Sequence, residues 1–207
     1  MSLTLTVQTD TDQEQRLKMP GTYTWQEFET LAGLLESGGV RLTYLDGAIE
    51  LMTVSEAHER IKSMLRLLLE TYLLLMGIEF FPVGNATRSS KTKAVSFEPD
   101  ESYYLFRQDN KTHPDLAIEV ILSSGSIAKL EKYRRLGIPE VWFWENNRLE
   151  VYALEHSSLE NLEHNRYVLV SQSQLLPSLD LALLMRCTQM ASPLEAVNTF
   201  RQQCNDF

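Results

Sequence analysis

The amino-acid order predicts an α/β (α+β) fold, a central mixed β-sheet flanked by helices. Three observations carry this. Residues 61–76 repeat apolar side chains at helical spacing, residues 40–52 alternate around Asp46-Gly47, and residues 115–121 join strand alternation to a nearly continuous apolar run. The elements follow in the order helix, hairpin, helix, several strands, helix, strands, helix. No internal repeat, low-complexity tract or linker marks a second domain. We therefore expect an arm over residues 1–22 and a single domain over 23–207.

Each element has its own signal. The arm reads as flexible or partly extended. Thr24 and Glu27 form a capping box, after which Trp25, Phe28, Leu31 and Leu35 keep helical spacing until Gly38-Gly39. Val40 to Met52 alternates on both sides of Asp46-Gly47, the strongest short hairpin signal. Thr53 with Glu56 suggests a second capping box, opening a long helix on Ile61, Met64, Leu65, Leu68, Tyr72 and Leu75 that ends at Gly77. Its apolar arc is wide, so it is expected to be the most buried helix. Strands are expected near 78–83, 95–106 and 115–122, then a helix from Ser126 to Leu136 closed by Gly137 with Pro139 beyond. Further strands cover Val141 to Glu145, Leu149 to Leu154 and Tyr167 to Val170. Ser192-Pro193 starts a terminal helix running to about Gln203.

With 207 residues the chain is long enough to bury a substantial core. A net charge of −9 argues against a broadly basic surface, the usual electrostatic mark of nucleic-acid binding. Local basic clusters remain: Arg88, Lys91 and Lys93, which are candidates for substrate binding, and Lys129, Lys132, Arg134 and Arg135. A solvated face is the plain alternative for each. Cys187 and Cys204 form no CxxC and suggest neither zinc nor a disulfide framework, so a reducing cytoplasm is the default. No basic and apolar leader opens the chain, and Lys62, Arg66 and Glu70 make the apolar run too charged to cross a membrane. No HExxH, GxSxG, Walker or dinucleotide fingerprint is present. Trp142, Phe143 and Trp144 alternate along a strand, which favours core packing over base stacking.

The chemistry-bearing residues lie on two neighbouring segments. In the second, Asp115, Ala117, Glu119 and Ile121 share one strand face, and Leu116, Ile118 and Val120 share the other. Glu119 is thus an acid inside an apolar strand, where it needs either a buried cationic partner or a metal. Asp100, on another strand, supplies a second carboxylate, which tilts the balance toward a hard divalent cation. Asp115 follows His113-Pro114 at the start of its strand and is expected to cap a turn, with a metal role as the lesser alternative. Two carboxylates with a lysine close behind are what metal-assisted phosphodiester hydrolysis requires.

Three blocks carry a family resemblance. They are Glu98-Pro99-Asp100-Glu101-Ser102-Tyr103-Tyr104, His113 to Val120, and Lys129 to Trp142 with its Gly137-Ile138-Pro139-Glu140-Val141-Trp142 run. Together with Tyr44 to Glu50 and the helix after it, they resemble the Uma-type restriction endonuclease family, within the PD-(D/E)XK nuclease superfamily, over about residues 25–185. The resemblance implies a restriction-endonuclease-like core with a Mg²⁺ or Mn²⁺ site. It makes Asp100 the PD aspartate, Glu119 the second acid and the Val120 backbone carbonyl an extra ligand. Ile121 stands where the superfamily motif has lysine. The family draws its lysine from the following helix, where Lys129 occupies the position and Lys132 is the reserve. Ala57 replaces a glutamate the family tends to carry before the histidine matched by His58, so Glu56 and Glu59 are additional candidates, although capping and the helix dipole explain both.

The implied activity is metal-dependent cleavage of nucleic acid, DNA by preference. The alternative is a catalytically degenerate binding or regulatory module, favoured by Ile121 and Ala57. A metal-free carboxylate-pair hydrolase such as a glycosidase is a distant third. Cutting both strands of a duplex would favour a homodimer.

Overall fold

The computed structural model describes residues 14–35, 40–106, 111–122, 126–155 and 165–204, and only the backbone of 126–129. The first sheet is antiparallel, in the order β1 (Arg16–Lys18), β3 (Ala48–Thr53), β2 (Val40–Leu45), β6 (Val95–Phe97), β5 (Arg88–Ser90). Its centre is the expected hairpin: Asp46 and Gly47 both take positive φ, 48° and 87°, as a primed two-residue turn requires. Gly47 has a further reason to be glycine, because a Cβ there would lie 2.4 Å from the Thr22 methyl. The described part of the arm is tied down. Arg16–Lys18 pairs with β3, and the Tyr23 N–H donates to the Gly47 carbonyl at 2.8 Å.

Helix α1 (Trp25–Leu35) starts on the expected capping box, with Thr24 N–H donating to Glu27 Oε2 at 2.7 Å. Trp25 and Phe28 stack on Tyr44 of β2, with ring centroids 5.0–5.3 Å apart, and with Leu42 and Ile49 they make a small core for this sheet. The cap of α2 (Glu56–Leu75) corrects the sequence reading. Ser55 is the N-cap, its Oγ accepting from the His58 N–H at 3.2 Å. Thr53 is instead the last rung of β3, its hydroxyl accepting from Gln15. Sheet pairing claims Thr53 and overrides its pattern with Glu56, so the cap falls to Ser55.

The second sheet is mixed, in the order β11 (Arg166–Val170), β10 (Arg148–Glu155), β9 (Glu140–Glu145), β8 (Leu116–Ile121), β7 (Glu101–Leu105), β4 (Phe80–Pro82). Strands β8 and β9 are parallel and joined through α3 (Ser126–Leu136), and every residue of β8 is buried. Its two faces behave as the alternation predicts. Leu116, Ile118 and Val120 join Trp142 and Trp144 against α2, α4 (Leu181–Thr188) and α5 (Pro193–Cys204). Ala117 and Ile121 join Val141 and Phe143 against Tyr133 and Leu136 of α3 and against Val95 and Phe97 of β6. Strand β5 and helix α4 lie outside the elements read from sequence. Cys187 and Cys204 are free and buried between α4 and α5. No helix among the described residues is long and apolar enough to cross a membrane.

The expected single strand over 95–106 is two strands in different sheets. Pro99 has no N–H to continue a ladder, and the chain bends at Pro99-Asp100 from the first sheet into the second. The Gly137 to Trp142 run also gains a reason. Gly137, at φ 69°, ends α3, and Glu140 clamps a distant turn. Its carboxylate accepts from Trp142 Nε1 and Ser173 Oγ, each at 2.6 Å, from Gln174 N–H at 2.8 Å and from Leu175 N–H at 3.4 Å. Glu140→Gln turns an amide NH₂ toward fixed donors. It should lower unfolding free energy by about 3 kcal/mol, read as a lower denaturant midpoint at unchanged m-value.

Candidate active site

Asp100 lies in the bend between the sheets, one residue before β7. It is 1% exposed, and its carboxylate is the meeting point of three elements, β2, α2 and β8. Arg41 of β2 donates from Nη1 to Oδ1. His58, in the first turn of α2, lies with Nε2 3.1 Å from Oδ2, and the Val120 N–H of β8 donates to the same oxygen at 2.6 Å. An ionised aspartate only accepts, so His58 carries its proton on Nε2 toward Asp100. Burial alone would push the Asp100 carboxyl up. The His58 hydrogen bond and charge, the Arg41 guanidinium and the Val120 N–H outweigh it and hold the group down at about 2.

Glu119 is 3% exposed and sits on the opposing strand. The β7–β8 register pairs Glu101 with Ile118, so the next step of each strand brings Asp100 and Glu119 to the same end of the ladder. Tyr133 of α3 donates its hydroxyl to Glu119 Oε1. Burial and the Glu119 charge raise the Tyr133 phenol well above its ordinary value, so it stays a donor. Both acids act electrostatically on Arg41 and on Tyr133, which places the two carboxylates in one cluster. Lys132 is only 7% exposed and holds its ammonium 5.2 Å from the centroid of Phe97, whose ring packs 4.6 Å from that of Tyr133. The side chain of Lys129 lies outside the described residues.

The remaining candidates separate. Glu59 belongs to the cluster's margin, with Oε1 3.6 Å from both Arg41 Nη2 and His58 Nδ1 and Oε2 2.5 Å from Lys62 Nζ. Glu56 is exposed at the start of α2. Asp115 accepts from the Leu105 N–H at 2.8 Å and from Lys111 Nζ at 2.7 Å, so it closes the β7–β8 connection, as its position after His113-Pro114 suggests. Arg88 points to Ser102 Oγ at 3.4 Å and over the Tyr104 ring, Lys93 donates to the Arg135 carbonyl at 2.6 Å, and Lys91 is exposed. Neither Arg88 nor Lys93 bonds to the acid pair.

Arg41, His58 and Tyr133 were missed as site residues. Tyr133 had a signal, since it shares the inner face of α3 with Leu136. Arg41 lies on the strand face opposite Leu42 and Tyr44. That face reads as solvent until the second sheet is known to cover it.

Two buried carboxylates at the end of neighbouring strands fit a small divalent ion. Magnesium commonly takes one or two carboxylates and keeps several waters. No group of three or more His, Cys, Asp or Glu able to hold a metal occurs among the described residues; Asp100 and Glu119 are the two carboxylates that the β7–β8 ladder brings together for such an ion.

A mixed sheet between helices, with paired acids where its central strands end, defines the restriction-endonuclease-like class. The comparison with family models agrees: residues 25–184 match Uma2, described as "Putative restriction endonuclease". The chain belongs to that family. No curated protein matches the chain.

The Asp100 carboxyl is lower folded than its ordinary 3.8, so its contribution to stability is present above about pH 4 and is lost as pH falls toward about 2. Thermal melts between pH 6 and pH 2 should show this loss in the wild type and a shallower fall over the same window in Asp100→Asn.

Proposed function

We propose that this protein is a divalent-metal-dependent endonuclease that hydrolyses phosphodiester bonds of nucleic acid, with DNA as substrate and Mg²⁺ or Mn²⁺ as the ion. The supporting observation is the buried Asp100–Glu119 pair at the end of the β7–β8 ladder, in a member of a restriction endonuclease family. Asp100 and Glu119, with the Val120 carbonyl, would hold the ion, which when bound polarises the phosphate and acidifies a water. His58 and the Val120 N–H keep Asp100 ionised and aimed. Tyr133 orients Glu119. Lys129 is the catalytic cation of this reading and orients the attacking water, with Lys132 in reserve. Residues 23–207 act as one domain, the compartment is the cytoplasm, and a two-fold homodimer would present two such sites to a duplex.

A second reading keeps the fold as a non-cleaving binding module. Ile121 favours it, since its buried side chain supplies no charge beside Glu119.

The test is plasmid nicking with Mg²⁺ or Mn²⁺ beside calorimetric metal binding, for wild type, Asp100→Asn, Glu119→Gln and Lys129→Ala. The two acid variants should lose both metal binding and nicking. Lys129→Ala should keep binding and lose nicking by on the order of 100-fold or more. Metal binding without nicking by the wild type would favour the binding module, and no metal binding at all would refute the site.

A further inference from the structure

The cluster holds a cation that the proposed reaction has not used. Arg41 reaches from the first sheet to Asp100 Oδ1, and among the described residues this is its one side-chain hydrogen bond. Its Nη2 lies 3.6 Å from Glu59, an ion pair without hydrogen-bond distance. A guanidinium has five N–H donors in a fixed fork, so most of its donors remain uncommitted. They border a solvent-open cavity of about 700 Å³ lined also by Trp25, Lys62 and Thr87 and by the carboxylates Glu29, Glu59 and Glu98.

Ile121 deepens the problem that Arg41 answers. Charge builds on the non-bridging phosphate oxygens as a phosphodiester is cleaved, and a fixed donor aimed there lowers the barrier. The motif position on β8 cannot supply it, because Ile121 is packed among Ala117, Val141 and Phe143. Arg41 stands beside Asp100, on a different sheet, with its side chain largely buried and anchored by that carboxylate.

We infer that Arg41 binds the scissile phosphate: Asp100 and Glu59 hold its guanidinium at the cavity wall, where the remaining N–H groups meet the phosphate oxygens. This rests on the nuclease reading. The same contact makes Arg41 a competitor for Asp100, because a guanidinium and a divalent ion draw on one carboxylate. Metal affinity and cleavage therefore respond to Arg41 in opposite directions. A metal ligand loses both when replaced, and a plain structural counter-ion alters stability without slowing the loaded protein.

The experiment uses the full chain, MnCl₂ alone in calorimetry, and supercoiled plasmid for nicking at saturating Mn²⁺. Arg41→Gln is expected to bind Mn²⁺ more tightly than wild type and to nick on the order of 100-fold more slowly. Arg41→Lys keeps the buried charge and guards against a folding failure. It is expected to bind Mn²⁺ no more weakly than wild type and, lacking the fork, to nick about tenfold more slowly. Wild-type nicking rates in either folded variant, or weaker Mn²⁺ binding by Arg41→Gln, overturn the inference and leave the nuclease reading standing. A wild type that nicks nothing removes both.

Discussion

The Asp100 carboxylate is the joint on which the architecture turns. Its partners Arg41, His58 and Val120 come from a strand of the first sheet, the first turn of α2 and a central strand of the second sheet. Losing the carboxylate would leave a guanidinium and an imidazole buried and short of partners, which costs more than the bonds themselves were worth. The same group fixes where the chain changes sheets, since Pro99 stops one ladder and Asp100 is captured by β8 before the next begins. A second tie lies on the surface: Arg135 of α3 donates to Asp46 in the hairpin turn and to the Lys93 carbonyl, holding the helix that carries Tyr133 against the first sheet. The two ties act at opposite depths, and the exposed one will weaken with salt while the buried one will not.

Much of this frame was legible in the sequence because it is local. The Asp46-Gly47 turn, the Thr24–Glu27 box and the Ser126–Leu136 helix each depend on residues a few positions apart, and each was found where it was expected. The alternation of β8 correctly separated Leu116, Ile118 and Val120 from Ala117, Glu119 and Ile121. What failed was set by partners far along the chain. Thr53 satisfies a capping pattern with Glu56, but β2 and Gln15 claim it first and Ser55 takes the cap. Residues 95–106 have strand composition throughout, and nothing local says that the two halves belong to different sheets.

The site divides in the same way. The acids were visible because a carboxylate inside an apolar strand is anomalous wherever it pairs. Their partners were not, because Arg41, His58 and Tyr133 lie 59, 42 and 14 positions from the acids they contact. An arginine alternating with Leu42 and Tyr44 looks like the outer face of a two-stranded ribbon. It becomes an inner residue only when β6 carries the chain across to the second sheet.

Burial alone does not separate an acid that builds the fold from one available for chemistry, as Glu140 and Asp100 demonstrate. Both are 1% exposed. Glu140 accepts only neutral donors, two of them backbone N–H groups of one turn, and no movement of a side chain could release it without opening that turn. Asp100 combines one backbone N–H with two side-chain groups, one of them a guanidinium beside an open cavity. A cation held by a carboxylate can be exchanged for another cation, whereas a backbone donor cannot leave. Exchangeable partners are thus the better mark of an acid available for chemistry, and by that measure Asp100, with Arg41 beside it, is the stronger candidate of the two.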